Sequence, residues 1–296
     1  MIQFQKATKH KSKLRAALFG PSGSGKTYSA LRIARGLAGQ QGRVALIDTE
    51  FGSAAKYADR FEFDTVRLDD NAGIDQMIEC LVAAKDYDVV IIDSMTHTWD
   101  ELKDEVQRLS RSAKFGGNYW AAWSEGTPKQ KRFIKALLSF PGHVVATMRV
   151  RTHWDTETTQ NGRVKPVRKG LDPEQGKGIE YEFDMLLELS TEHVAEVIKD
   201  RTGKFQDKTI EKPGEDFGKA LAEWLADGAE PVAPSQPPAA GPDLTDLQRL
   251  IDEHGITADQ AEAWCRHFKV TALADLTQTQ VDAIVRRIED KVKGEA

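Results

Sequence analysis

Between residues 14 and about 225, short apolar runs alternate with amphipathic stretches, the pattern expected of parallel strands joined by crossover helices. The runs cover residues 14–19, 44–47, 65–68, 89–92, 144–148, 185–189 and 194–198. Val89, Val90, Ile91 and Ile92 are apolar without alternation, as befits a parallel strand buried on both faces, so this run is placed centrally. The last two runs flank Ser190 and His193 and read as an antiparallel hairpin extending the sheet, with a helix-linked pair as the alternative. The spacing therefore predicts an α/β fold with a mostly parallel central sheet flanked by helices.

The pattern stops at residues 229–242, where Pro and Ala dominate with a Gly and a Ser, a composition that stays extended and packs no core. Beyond this linker, helical spacing returns in Leu244, Leu247, Leu250 and Ile251, then Ala261, Trp264, Cys265 and Phe268, then Val281, Ile284, Val285 and Ile288. Thr257 with Gln260, and Thr277 with Gln280, stand at capping-box spacing. The expected organisation is a basic arm at 1–13, the α/β domain at 14–228, the linker at 229–242, and a small helical domain at 243–296.

Composition narrows the setting. Apolar residues make up 40% and charged residues 29%, and no apolar run approaches the ~20 residues that span a bilayer. The basic N-terminus lacks the apolar core of a secretory signal. Cys80 and Cys265 stand far apart, which argues against a disulfide framework or a Cys-based zinc site. A cytoplasmic protein without membrane contact is expected. The net charge of −5 excludes a basic nucleic-acid binder read as a whole, yet charge is uneven. Lys6, Lys9, Lys11, Lys13 and Arg15 open the chain without an acid, whereas residues 243–296 hold eleven acids against seven Lys and Arg. The opening stretch is either a solvated arm or one that contacts phosphates.

Gly20-Pro21-Ser22-Gly23-Ser24-Gly25-Lys26-Thr27 is a complete P-loop pattern set between a predicted strand and an amphipathic stretch. Its small residues let backbone N–H groups curl around phosphate oxygens at a helix N-terminus, whose dipole favours negative charge. Lys26 is expected to reach the β and γ phosphates of ATP, and the Thr27 hydroxyl to ligate Mg²⁺. Asp93 closes the buried 89–92 run and is placed to hold the magnesium water shell. Asp48 and Glu50 end another predicted strand. Glu50 is the candidate to activate the attacking water, with Asp48 structural.

The order of P-loop, Ile47-Asp48-Thr49-Glu50 and Ile91-Ile92-Asp93-Ser94 resembles the ATPase core of RecA and its recombinase relatives. The resemblance implies a RecA-like fold and a catalytic role for Glu50. Val144-Val145-Ala146-Thr147-Met148 is similar to the strand carrying the family's γ-phosphate sensor, which makes Thr147 the matching residue, although Asn-Gln is frequent there. Val197-Ile198-Lys199-Asp200-Arg201 is similar to the hairpin from which such proteins extend cations to a neighbouring subunit's ATP, so Lys199 and Arg201 are the trans-acting candidates. Cations two apart on a strand point the same way. The basic arm, residues 20–30 and Gly178-Ile179-Glu180-Tyr181-Glu182-Phe183-Asp184 resemble phage-encoded RecA-core ATPases of the single-strand annealing group, acting in the bacterial host cytoplasm. The helical tail is similar to small domains appended to phage recombination proteins.

Residues 149–177 hold seven Lys or Arg against four acids and read as a mobile cationic loop. In the RecA family the corresponding region binds DNA. The resemblance therefore implies that Arg149, Arg151, Arg163, Lys165, Arg168 and Lys169 contact phosphates while Trp154 or His153 stacks on a base. A solvated surface loop is the alternative. Phe115, Tyr119, Trp120 and Trp123 form either a second stacking element or ordinary packing. The leading expectation is a DNA-dependent ATPase that binds single-stranded DNA, self-associates into a ring or filament, and promotes annealing or strand exchange. The alternatives are a P-loop kinase with residues 149–177 as its lid, or a nucleotide-gated adaptor recruiting a protein through the tail.

Overall fold

The computed structural model describes residues 4, 6–68, 72–158, 164–230, 244–268, 270, 272–273, 276 and 278–294. The chain divides into two compact units, Met1–Glu230 and Pro231–Ala296.

The first unit begins with β1 (Arg15–Phe19), α1 (Lys26–Ala38), β2 (Val44–Asp48), β3 (Asp64–Arg67) and α2 (Ile74–Ala83). It continues through β4 (Val89–Asp93), α3 (Met95–Ser110), α4 (Tyr119–Ser139) and β5 (His143–Met148). After β6 (Val150–Thr158) and β7 (Val164–Pro173) come β8 (Met185–Leu189), β9 (Val194–Asp200), β10 (Thr209–Glu211) and α5 (Glu215–Ala226). Eight strands form one sheet in the order β10-β9-β8-β1-β5-β4-β2-β3. Pairing is parallel from β8 to β3, whereas β9 runs antiparallel to both β8 and β10. The expected strands and the antiparallel hairpin at the sheet's end are present.

Alternate residues of each central strand feed two cores. Ala17, Phe19, Ile47, Val90, Ile92 and Ala146 pack under α2, α3 and α4. Leu18, Leu46, Val89, Ile91 and Val145 pack under α1 and α5. That two-sided burial is why β4 carries no polar alternation, every one of its residues being buried. It also positions the site: β1 lies between β5 and β8, while the next strand in sequence, β2, lies beyond β4. A chain reversal of this kind opens a crevice at the carboxyl ends of the strands.

Residues 149–177, expected as a loop, instead contain the β6–β7 hairpin, a separate two-stranded sheet running from the pair Val150–Pro173 to Thr158–Val164. Val150, Thr152, Thr156 and Thr158 in β6 and Val164 and Val167 in β7 are β-branched and favour extended backbone. Charges on either side of them removed the period-two alternation that would have announced a half-buried strand. Phe115, Tyr119 and Trp123 pack against the first core, with Trp123 stacked 5.5 Å from Trp99, whereas Trp120 is 82% exposed. The basic arm is tied down at residues 9–12. The Lys11 and Ser12 amides donate to Ala229 and Leu225 carbonyls, Lys9 pairs with Asp227 at 2.9 Å, and Lys11 pairs with Glu230.

The second unit contains α6 (Thr245–His254), α7 (Ala258–Phe268) and α8 (Gln278–Gly294) around Leu247, Leu276, Val281 and Ile284. Thr257 donates its amide to Gln260 Oε1 at 2.9 Å, half of the expected capping box. Residues 231–243, most of the expected linker, lie outside the described residues, as does Thr277. Among the described residues no helix is long and apolar enough to cross a membrane.

Candidate active site

The P-loop turns at the end of β1 because its glycines permit two things that side chains forbid. Gly23 and Gly25 adopt φ 79° and 84°, the left-handed region. Gly20 lies so close to β8 that a Cβ there would stand 2.3 Å from the Leu189 carbonyl oxygen. Gly25 then caps the N-terminus of α1, which starts at Lys26. Pro21, Ser22 and Gly23 line the mouth of a cleft of about 940 Å³, together with Gly20, Lys26 and Thr27. Ser24 is fully buried, and its Oγ has no hydrogen-bond partner among the described residues, an arrangement that suits a phosphate oxygen.

Lys26 Nζ donates to the Gly20 and Pro21 carbonyls at 3.0 and 2.9 Å. Burial lowers its pKa, with Glu50 and Asp93 pulling the other way and Arg149 adding to the drop. Thr27 Oγ1 donates to Asp93 Oδ2 at 2.7 Å, and Thr147 Oγ1 donates to Asp93 Oδ1. Asp93 is 1% exposed, and its burial pushes the carboxyl pKa up against those two hydrogen bonds. A buried carboxylate raised by desolvation is stabilised by a cation. Hard oxygen donors at this spot suit Mg²⁺, with Thr27 as ligand and Asp93 holding its waters; the ion would neutralise phosphate charge. Thr147, expected as a γ-phosphate sensor, spends its hydroxyl on Asp93 in this structure.

Asp48 is structural, as expected: its Oδ1 accepts the Glu50 amide at 2.7 Å and its Oδ2 the Ala54 amide at 3.2 Å. The turn after β2 is thereby fixed, and Glu50 is presented to the cleft. Thr49 ties this turn to β4, its amide donating to the Asp93 carbonyl at 2.7 Å and its hydroxyl to the Ser94 carbonyl at 2.9 Å. Arg149 donates from Nε and Nη2 to Glu50 Oε1 at 3.3 and 3.2 Å. Expected as a DNA contact, Arg149 thus lines the nucleotide cleft at the root of the hairpin.

Arg151 is exposed on β6. The backbone register sets Trp154 opposite Arg168 and Glu157 opposite Lys165. The side chains of His153, Trp154, Lys165, Arg168 and Lys169 lie outside the described residues, as does Arg163 altogether. Lys199 and Arg201 are not near this chain's own cleft. Lys199 Nζ donates to the Glu180 and Tyr181 carbonyls at 2.9 and 3.1 Å, and Arg201 to Asp184 Oδ1 at 3.1 Å and Tyr181 O at 2.8 Å. They sit at the opposite end of the sheet, a strand length or roughly 17 Å from the P-loop.

The cleft also gathers residues that sequence reasoning missed. Tyr28 packs against Tyr57 and Phe61 with ring centroids 5.6 and 5.3 Å away, and Tyr28, Tyr57 and Arg60 line the cleft, offering a nucleobase an aromatic surface. A Tyr directly after the P-loop Thr was the available signal. His193, at φ 64°, brings Nδ1 to 3.1 Å from the Ser24 carbonyl, and Lys212 donates its amide to the His193 carbonyl at 2.8 Å. Only the return of β8 and β9 to the P-loop brings these two to the site.

A search among curated proteins finds no match to this chain. A family model described as AAA domain matches residues 12–212, from just before β1 to just past β10. Because that match spans more than half of the 296 residues and contains the whole crevice, the chain belongs to the AAA domain family and carries a P-loop ATPase domain.

Proposed function

We propose that the protein is a DNA-dependent ATPase that binds single-stranded DNA and promotes annealing or strand exchange as a RecA-like oligomer of phage type. The observation that carries this reading is the β6–β7 hairpin. It leaves the strand bearing Thr147 with a single residue, Arg149, between them, and its sequence is rich in Lys and Arg. A cationic arm rooted in the hydrolysis site gives phosphate binding a short route to ATP turnover. Lys199 and Arg201, far from their own cleft, are the groups available to a neighbouring subunit's ATP, and the helical tail is left for a protein partner. Mg²⁺ and ATP are the cofactors of this reading.

The test is the steady-state ATPase rate with and without oligo-dT at low and moderate salt. Stimulation that weakens as salt rises is expected, with Lys26→Ala reducing turnover by about a hundredfold or more. No stimulation, with no oligo-dT binding in either nucleotide state, overturns the DNA reading and turns attention to phosphoryl acceptors or protein partners.

A further inference from the structure

The two ends of the cleft carry different chemistry. The carboxylates that line it, Glu50 and Glu174, stand at the hydrolysis end, where Arg149 donates to Glu50 Oε1 and its carbonyl accepts the Glu174 amide at 2.8 Å. The other end is lined by Tyr28, Arg32, Tyr57, Arg60 and Lys212. Arg32 lies six residues beyond Lys26 on α1, about 9 Å along the helix axis. A base lying over the Tyr28 and Tyr57 rings therefore meets cations and phenols, with no carboxylate among the described residues that line this end.

Arg60 is the group beside that base. A 3₁₀ turn covers Ala54–Tyr57, and the tight winding continues past it, with the Arg60 amide donating to the Tyr57 carbonyl at 3.0 Å. Side chains three residues apart in such winding eclipse one another, so Arg60 stands on the same side as Tyr57. Its ion pair with Asp59 is long, Nε to Oδ2 at 3.7 Å, and its side chain is 62% exposed, so little holds the guanidinium back from a ligand. Nearby main-chain acceptors are engaged. The Tyr57 carbonyl takes both the Arg60 and the Phe61 amides at 3.0 Å, and the Lys212 carbonyl takes Arg32 Nη1 at 3.1 Å.

Purines differ at the edge such a group reads. Guanine and hypoxanthine present O6 and N7, two acceptors that one guanidinium binds together, whereas adenine presents N7 beside the N6 donor. A phenol both donates and accepts, so Tyr28 and Tyr57 do not separate the purines. Arginine does, and it favours the base with two acceptors.

We propose that the cleft takes GTP and ITP as substrates alongside ATP, with Arg60 the specificity-determining residue through O6 and N7 of the base. The chemistry is the same for each: water adds to the γ-phosphorus, the bond to the β–γ bridging oxygen breaks, and the nucleoside diphosphate, inorganic phosphate and a proton leave. This rests on the ATP-hydrolysing part of the proposed function and on none of its DNA part.

The experiment measures kcat/KM without DNA for ATP, GTP, ITP and 7-deaza-GTP in wild type, Arg60→Ala and Arg60→Gln, with Lys26→Ala as the blank and thermal melts to verify folding. Affinities for ADP, GDP and IDP are followed in parallel by displacement of a fluorescent ADP. Wild type is expected to use GTP and ITP within about tenfold of ATP, and 7-deaza-GTP about threefold less well than GTP. Arg60→Ala is expected to lower kcat/KM about tenfold for GTP and ITP, through KM, and no more than about threefold for ATP. Arg60→Gln, whose carboxamide reads N6 and N7 of adenine together, moves the preference towards ATP.

GTP and ITP used more than about tenfold less well than ATP overturn the proposal. Equal losses for all three nucleotides in Arg60→Ala also overturn it, since they make Arg60 a phosphate contact. Absence of stimulation by oligo-dT removes the DNA reading and leaves this comparison intact. If no nucleotide is turned over, the ATPase reading has failed, and the diphosphate affinities decide the base preference by the same ratios.

Discussion

At the residue scale, burial settles which side chains keep their charge. Asp93 has two hydroxyls donating to it and stays placed to face a cation despite desolvation. His143 has the opposite arrangement. The Leu14 amide donates to its Nδ1 at 3.0 Å, so the ring is held neutral, and burial reinforced by Lys13 and Arg15 takes its pKa from 6.5 down to about 4. The unfolded chain therefore binds the proton first as pH falls. The stabilisation is present above pH 6.5 and is lost between 6.5 and about 4, a swing on the order of 3 kcal/mol. His143→Asn preserves an acceptor for the Leu14 amide and cannot titrate. Urea melts of the variant and wild type at pH 7.5 and 5 are expected to show a smaller loss in the variant, and equal losses would exclude His143 as a source of acid sensitivity.

Between elements, close approach of backbones decides what the cleft can tolerate. Helix α1, which begins at the P-loop lysine, packs against α5 through glycines. A Cβ on Gly218 would stand 2.3 Å from the Ile33 carbonyl oxygen, and one on Gly36 would stand 2.1 Å from the Glu215 carbonyl oxygen. Both contacts are with main chain, which does not swing aside as a side chain does. Gly218→Ala is expected to cost about 2–3 kcal/mol by forcing the helices apart. Because α1 carries Lys26, ATP affinity should fall with stability. Thermal melts and nucleotide binding measured together check this, and a variant as stable as wild type would show that α5 yields freely. The α1–α5 seam was not visible beforehand, since a glycine in a helical pattern does not say which helix it meets.

For the whole molecule, the telling feature is that Lys199 and Arg201 stand at the far end of the sheet from their own P-loop and are bonded to residues 180–184. If they serve a neighbour, Lys26→Ala and Arg201→Ala are defective for different reasons and can complement each other. In an equal mixture of the two inactive proteins, head-to-tail assembly creates intact sites at roughly a quarter of the interfaces. ATPase activity is expected to appear on mixing, and a mixture no more active than the average of its parts would place the complete site within one chain.

The amino-acid sequence alone determined the sheet, the P-loop, and the acids that serve it. Strand burial on both faces leaves continuous apolar runs such as 89–92, and phosphate binding requires a dense local pattern between Gly20 and Thr27. Asp48 and Asp93 were legible because each closes such a run. Only tertiary structure decided what lies across the cleft. Arg149 reaches Glu50, His193 reaches Ser24, and Tyr28 meets Tyr57 and Phe61 through folding that joins distant segments. The cationic hairpin escaped because charged residues stand among its β-branched ones, so no apolar alternation marks its strands. Local geometry writes itself into neighbouring residues, whereas a contact between distant segments leaves no period to read.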